Sequence, residues 1–143
     1  MSHAEPTRDA FKFWSSIPVR WGDMDAMGHV NNAVYFKYCE SARIELLRGL
    51  GIAGRGEGSP QGPTLVHTAC DFKREVKYPA TLDVGVRIVT MTQRSFRMQY
   101  GMFFEGTETL VAVAVSVNAW MDYTAGRAIH LPDELRAALA AYQ

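Results

Sequence analysis

Two carboxylates, an imidazole and two side-chain amides crowd into residues 21–32, WGDMDAMGHVNN. Asp23 and Asp25 stand one residue apart. His29, Asn31 and Asn32 follow, and a long helical pattern begins at once. A carboxylate just upstream of a helix N-terminus has a definite chemical use. The first N–H groups of a helix lack partners inside it and concentrate roughly half a positive charge there. A carbonyl oxygen held at that end is polarised, while the neighbouring carboxylate takes a proton from water or attacks directly. Each residue also has a plainer use. Asp23 and Asp25 are turn formers and helix caps, Asn31 and Asn32 are capping types, and a loop histidine often only orders its loop. Glu40 lies about two turns into the helix, where an ion pair with Arg43 at i+3 is the simple reading.

These residues must be held by the elements around them. Apolar residues at the odd positions Phe11, Phe13, Ile17, Val19 and Trp21 predict a first strand, with Trp14 breaking the pattern. In residues 33–50, Tyr35, Tyr38, Cys39, Ala42, Leu46 and Leu50 fall at helical spacing. Val34, Ile44 and Leu47 widen that stripe, so the helix is expected to be mostly buried. Its charges, Lys37, Glu40, Arg43 and Arg48, are assigned to the remaining face, and Gly49 and Gly51 to its end. Residues 52–63 are rich in glycine and proline and read as a loop.

Four strand patterns follow. Val66, Cys70, Phe72 and Val76 share a face of the first. Leu82, Val84, Val86 and Ile88 mark the second, and Phe96, Met98, Tyr100, Met102 and Phe104 the third. Residues 109–122 carry Val111, Val113, Val115 and Val117 on one face. Ala112, Ala114 and Ser116 on the other face are small enough for another backbone to come close. Short links at 90–94 and 106–108 suit antiparallel hairpins. A short helix is expected over residues 132–142, with Pro132 in its first turn. The predicted fold class is α+β: an antiparallel five-stranded sheet wrapped around one long helix. Residues 1–10 read as a flexible tail and 11–143 as a single domain. Unpaired sheet edges predict at least a homodimer.

The chain has 143 residues and 48% apolar content, enough for one real core. Fifteen basic residues balance fifteen acidic ones, which argues against a general nucleic-acid binder. No apolar leader and no membrane-length run is present, so a cytoplasmic protein is expected. Cys39 and Cys70 fit no metal or redox spacing and read as reduced thiols.

The segment VRWGDMDAMGHVNNAVYFKYCESARIELL resembles the start of acyl-CoA thioesterases of the 4-hydroxybenzoyl-CoA thioesterase-like family, which have the hotdog fold. That family has a G-D-x-D loop before its long helix, and an H-V-N-N variant of the motif occurs in it. The segment EVKYPATLDVGVRI is also similar, and the resemblance covers residues 13 to 122. It implies that Asp25 is the catalytic carboxylate and that the N–H groups around Asn32 and Ala33 hold the oxyanion. It implies contacts to substrate from His29 and Asn31, and it makes Glu40 a rival base, since some hotdog enzymes carry their acid on the central helix. It further implies that some of Lys73, Arg74, Lys77 and Arg94 meet the phosphates of coenzyme A. Phe96, Met98, Tyr100 and Met102 divide between core and acyl tunnel. No metal and no bound cofactor is implied. The partners expected are an acyl-CoA substrate and a second copy of the chain, as a homodimer or homotetramer. The other readings are hydrolysis of an acyl-carrier-protein thioester, a hydratase or dehydratase using His29, and a non-catalytic acyl-CoA-binding protein.

Overall fold

The helical spacing becomes a real helix, α1, Asn32–Gly49, in the computed structural model, which describes residues 5–52 and 57–143. Its inner stripe of Tyr35, Tyr38, Cys39, Ala42, Leu46 and Leu47 is buried. Arg43 is buried with them, so it does not join the solvent face assigned to it. Its position explains this: Arg43 follows Cys39 by four residues and precedes Leu46 by three, which puts it on the apolar stripe. Glu40 pairs with Lys37 at 3.5 Å, not with Arg43. Ile44 on the far side is exposed, so the helix is covered on one side only.

The covering layer is one antiparallel sheet: β1, Phe13–Pro18; β2, Gln61–Phe72; β3, Thr81–Met91; β4, Ser95–Phe104; β5, Leu110–Asp122; and β6, Arg127–Ala128. Five strands run in the order β1-β3-β4-β5-β2, and β6 pairs with β5. The short sixth strand was not expected. It forms because the Asp122 carboxylate accepts from the Thr124 and Ala125 N–H groups, turning the chain back so that Ala128 meets Met121. A second helix, α2, Asp133–Ala140, follows Pro132 and adds Leu135 and Leu139 to the core.

Strand pairing fixes which side chains face α1. Val84, Met102 and Ala112 lie across three neighbouring strands, as do Val86, Tyr100 and Ala114. All six are buried. The small-residue face of β5 is therefore the inner one, and it lets the sheet approach the helix. Phe96, Met98, Tyr100 and Met102 are at most 1% exposed and form core.

Three strand boundaries differ from expectation, one being the end of β2 at Phe72, which leaves Val76 beyond the strand. The first strand ends at Pro18, and Trp21 lies 73% exposed in a 3-10 turn, Trp21–Asp23. β2 begins at Gln61, since Gln61 finds Asp122 as a partner, although residues 61–63 read as loop. Part of that loop, residues 53–56, lies outside the described residues. Of the tail expected over 1–10, residues 1–4 also lie outside them. Arg8–Ala10 form a 3-10 turn anchored to the sheet, with Arg8 ion-paired to Asp83 at 2.7 Å and stacked on Trp14. Phe11 then lies over the paired glycines Gly85 and Gly101, where a Cβ would stand 2.6 Å from its ring. The outer sheet face thus has its own small aromatic cover.

Candidate active site

Residues 24–31 make a tight loop between the 3-10 turn and α1. Met24 bridges Val30, the Asp25 N–H donates to the His29 carbonyl at 3.1 Å, and the Gly28 N–H donates to the Asp25 carbonyl at 3.0 Å. Gly28 has φ +85, a conformation that L side chains rarely adopt. The Val30 N–H donates to the Val76 carbonyl at 2.8 Å, which ties the loop to the sheet just past β2.

The two carboxylates have opposite surroundings. Asp23 is 2% exposed. It accepts from the Arg20 N–H at 2.9 Å, the Tyr38 hydroxyl at 2.8 Å and the Arg20 guanidinium at 3.0 Å. Burial pushes its pKa up. The hydrogen bonds from Arg20 and Tyr38 and the Arg20 charge outweigh that and hold it below the usual carboxylate range. Asp23 is thus a fixed anion that fastens the loop to α1. Burial and the Asp23 carboxylate push the Tyr38 phenol up, so it stays a neutral donor.

Asp25 is half-buried. One of its oxygens accepts from the Met27 N–H at 2.9 Å and the other from the Asn31 amide at 3.1 Å. Those two bonds leave lone pairs open on both oxygens. Asn31 is the N-cap of α1 as well, since its Oδ1 accepts from the Ala33 N–H at 2.9 Å. One side chain therefore links the Asp25 carboxylate to the first turn of the helix. The Ala33 N–H is occupied by this cap, and the Val34 N–H by the Asn31 carbonyl at 2.9 Å. Among the described residues nothing accepts from the Asn32 N–H.

Beside this helix end is an open cleft of about 190 Å³. Four residues singled out in the sequence, His29, Asn32, Lys73 and Arg74, line it together. The backbone N–H groups of Lys73 and Arg74 both donate to the Val111 carbonyl, which fixes the basic pair where β2 ends. Lys73 pairs with Glu5 at 3.4 Å. Sequence reasoning missed four other wall residues, one of them Val30 of the loop. Tyr35 lies three residues after Asn32, a spacing that could have flagged it. Phe72 packs against the Tyr35 ring at 5.0 Å. Glu75 lies 4.0 Å from His29 Nε2, across the cleft from the loop, and no local pattern links the two.

Arg94 is not in this cleft. It lines a separate hollow with Arg127 and His130, beside the end of β5 remote from Lys73 and Arg74. Within one copy of the chain it does not join the other basic residues. Among the described residues no cluster suited to a metal ion occurs, and no helix is long and apolar enough to cross a membrane.

The family model described as the thioesterase-like superfamily matches residues 19–139. The PA5185 protein of Pseudomonas aeruginosa strain PAO1 has a solved structure that superposes with a TM-score of 0.90, at 29% identity and 96% coverage of each chain. The PA2801 protein of Pseudomonas aeruginosa gives a TM-score of 0.83 at 31% identity, covering 90% of this chain and 98% of the other. The chloroplastic acyl-acyl carrier protein thioesterase ATL2 of Arabidopsis thaliana is 27% identical over 137 residues, 89% of this chain and 68% of that protein.

Proposed function

The chain belongs to the thioesterase-like superfamily, and from that premise we propose that the thioester it hydrolyses is an acyl-CoA, released as free acid and coenzyme A. The observation that carries the reading is the link through Asn31, which holds the Asp25 carboxylate against the open end of α1. The thioester carbonyl sits at the Asn32 N–H, with the positive end of the helix behind it. Asp25 takes a proton from water as the hydroxyl oxygen adds to the carbonyl carbon. Negative charge builds on the carbonyl oxygen and is met by the Asn32 N–H. One such donor is typically worth about 3 kcal/mol in the transition state. The tetrahedral intermediate collapses, the carbon–sulfur bond breaks, and the thiolate takes up the proton held by Asp25. His29 and Asn31 order the site around the thioester. Lys73 and Arg74 offer donors to the phosphates of coenzyme A.

The working unit in this reading is at least a dimer. β2 is an edge strand, and Leu65, Val66 and Phe72 on it are 43%, 60% and 43% exposed. A second copy along that edge would cover them and close the open cleft. Arg94 of one copy would then reach substrate only through the assembly.

The test is thiol release from a panel of acyl-CoA thioesters by wild type and Asp25→Asn, with matched acyl-carrier-protein thioesters as the second arm. Asp25→Asn is expected to fall by about 10²–10³-fold in kcat/KM. Equal rates would remove Asp25 from the chemistry. Faster turnover on the carrier protein would move the substrate class to the one named for the Arabidopsis relative.

A further inference from the structure

Arg43 is 8% exposed, on the buried stripe of α1, and its guanidinium donates to the Tyr100 hydroxyl at 3.1 Å. Among the described residues no carboxylate lies within ion-pair distance of it. The titratable groups on its buried side, Tyr100 and Cys39, are neutral. Burial pushes the Tyr100 phenol up, with the Arg43 charge, Ser116 and the hydrogen bond from Arg43 pulling the other way. Burial also pushes the Cys39 thiol up to about 12, against the opposing pull of Arg43. Tyr100 is itself held by Ser116 at 2.8 Å, and Ser116 accepts from the Asn118 amide at 3.1 Å. A buried cation whose partners are all neutral is an incomplete arrangement, because buried charge is normally paired.

Arg43 also faces an open hollow of about 340 Å³. Its walls include Ile44 on α1, Thr64 and Leu65 on the β2 edge, and Asn118 on β5. Glu40 stands at the same hollow, 47% exposed at its side chain and engaged by Lys37. The hollow has apolar walls, an amide, hydroxyls, the Glu40 carboxylate already engaged by Lys37, and the Arg43 side chain with no acid paired to it. That is the make-up of a site for an apolar ligand ending in a carboxylate, since the planar guanidinium matches a carboxylate with two donors at once.

We propose that Arg43 is a specificity residue that binds a carboxylate carried at the far end of the acyl group. The substrate class is then a thioester of a dicarboxylic acid. Arg43 lies eleven residues beyond Asn32 on α1, about 16 Å along the axis at ~1.5 Å per residue. A thioester at the helix end and a distal carboxylate at Arg43 therefore call for an extended chain. The substrate half of this inference rests on the thioesterase reading. The carboxylate site does not.

The experiment has two arms that fail separately. In the first, sodium octanoate and 1-octanol are titrated into wild type, Arg43→Met and Arg43→Lys, followed by calorimetry, with circular dichroism to check folding. Octanoate binding is expected to weaken about tenfold or more in Arg43→Met and less in Arg43→Lys, with octanol unchanged. Unchanged octanoate binding in a folded Arg43→Met overturns the proposal. Should Arg43→Met not fold, the wild type decides. Octanoate must then shift the NMR signals of the Arg43 Nε–H and the Leu65 methyl groups, and no shift overturns the site. In the second arm, CoA monothioesters of diacids are compared with plain acyl-CoA of equal length. A diacid preference that is lost in Arg43→Met and only reduced in Arg43→Lys supports the specificity role; no preference at any length, or one kept in a folded Arg43→Met, removes it. If no thioester turns over while octanoate binds through Arg43, the thioesterase reading fails and the carboxylate site stands.

Discussion

Asn31 performs two jobs that different substitutions separate. Its Oδ1 caps α1 through the Ala33 N–H, and its Nδ2 donates to Asp25. In Asn31→Ser the cap survives, because serine is a comparable N-cap, but the shorter side chain cannot reach Asp25. In Asn31→Ala both are lost. Removing a cap costs about 1 kcal/mol. For a chain of 143 residues the unfolding entropy is ~0.3 kcal/mol per degree, so Asn31→Ala is expected to melt about 3 °C lower. Asn31→Ser is expected within about 1 °C of wild type. A hydrogen bond to a charged group contributes about 1.5–3 kcal/mol, an upper bound here because Asp25 is half-buried and water can replace the donor. That bound corresponds to roughly 10- to 150-fold in kcat/KM. Both variants should therefore lose activity alike, while only the alanine variant loses stability. The measurements are thermal melts and thiol-release kinetics on one acyl-CoA. A fully active Asn31→Ser beside an impaired Asn31→Ala would refute the reasoning, since Asn31 would then matter only as a cap.

Tyr38→Phe removes one of the donors that lower the Asp23 pKa. A carboxylate whose pKa is depressed by folding stabilises above its unfolded value of ~3.9, and that contribution is lost as pH falls through the folded value. Wild type should therefore exceed Tyr38→Phe by about 1.5–3 kcal/mol at neutral pH, and urea titrations should show the gap closing below about pH 4. Gly85→Ala puts a methyl group 2.6 Å from Phe11 Cγ and 2.8 Å from its Cβ, so about 1–3 kcal/mol of stability is expected to be lost. Adding Phe11→Gly, which removes both of those atoms, should relieve that clash, and a double mutant with simply additive losses would refute the packing account. Lys73→Ala and Arg74→Ala should raise KM for acyl-CoA about 3- to 10-fold with little change in kcat. A larger effect from Arg94→Ala in a protein shown to be monomeric would contradict its place outside the cleft.

The long helix, five of the strands and the second helix were legible because each is a local periodic pattern. β6 was not, because two residues carry no period and the Asp122 turn that creates the strand is visible only as hydrogen bonds. The anchoring of Arg8 and Phe11 was hidden for another reason. Their partners Asp83, Gly85 and Gly101 lie more than seventy positions away and meet them only once β3 and β4 pair. Half of the candidate site had a local signature, namely the loop with its cap. The other half, Lys73, Arg74 and Glu75, arrives from the end of β2, and only the Val30–Val76 and Val111 backbone contacts set it opposite.

Asp23 and Arg43 mark two ways in which residue type misleads. Asp23 and Asp25 look interchangeable as letters, yet one faces three donor groups and the other keeps open lone pairs, a difference set by Arg20 three residues before Asp23 and by Tyr38 fifteen residues after it. Arg43 is the converse. Its spacing from Tyr35, Cys39 and Leu46 placed it inward, and only its charge argued for solvent. When pattern and charge disagree at one position, either the fold tolerates an expensive burial or the charge has work there. The hollow in front of Arg43 and the neutral ring of Tyr100, Ser116 and Asn118 behind it favour the second. A purely structural arginine at this depth would need a buried acid beside it, and the acid that shares its hollow, Glu40, is turned to Lys37 instead.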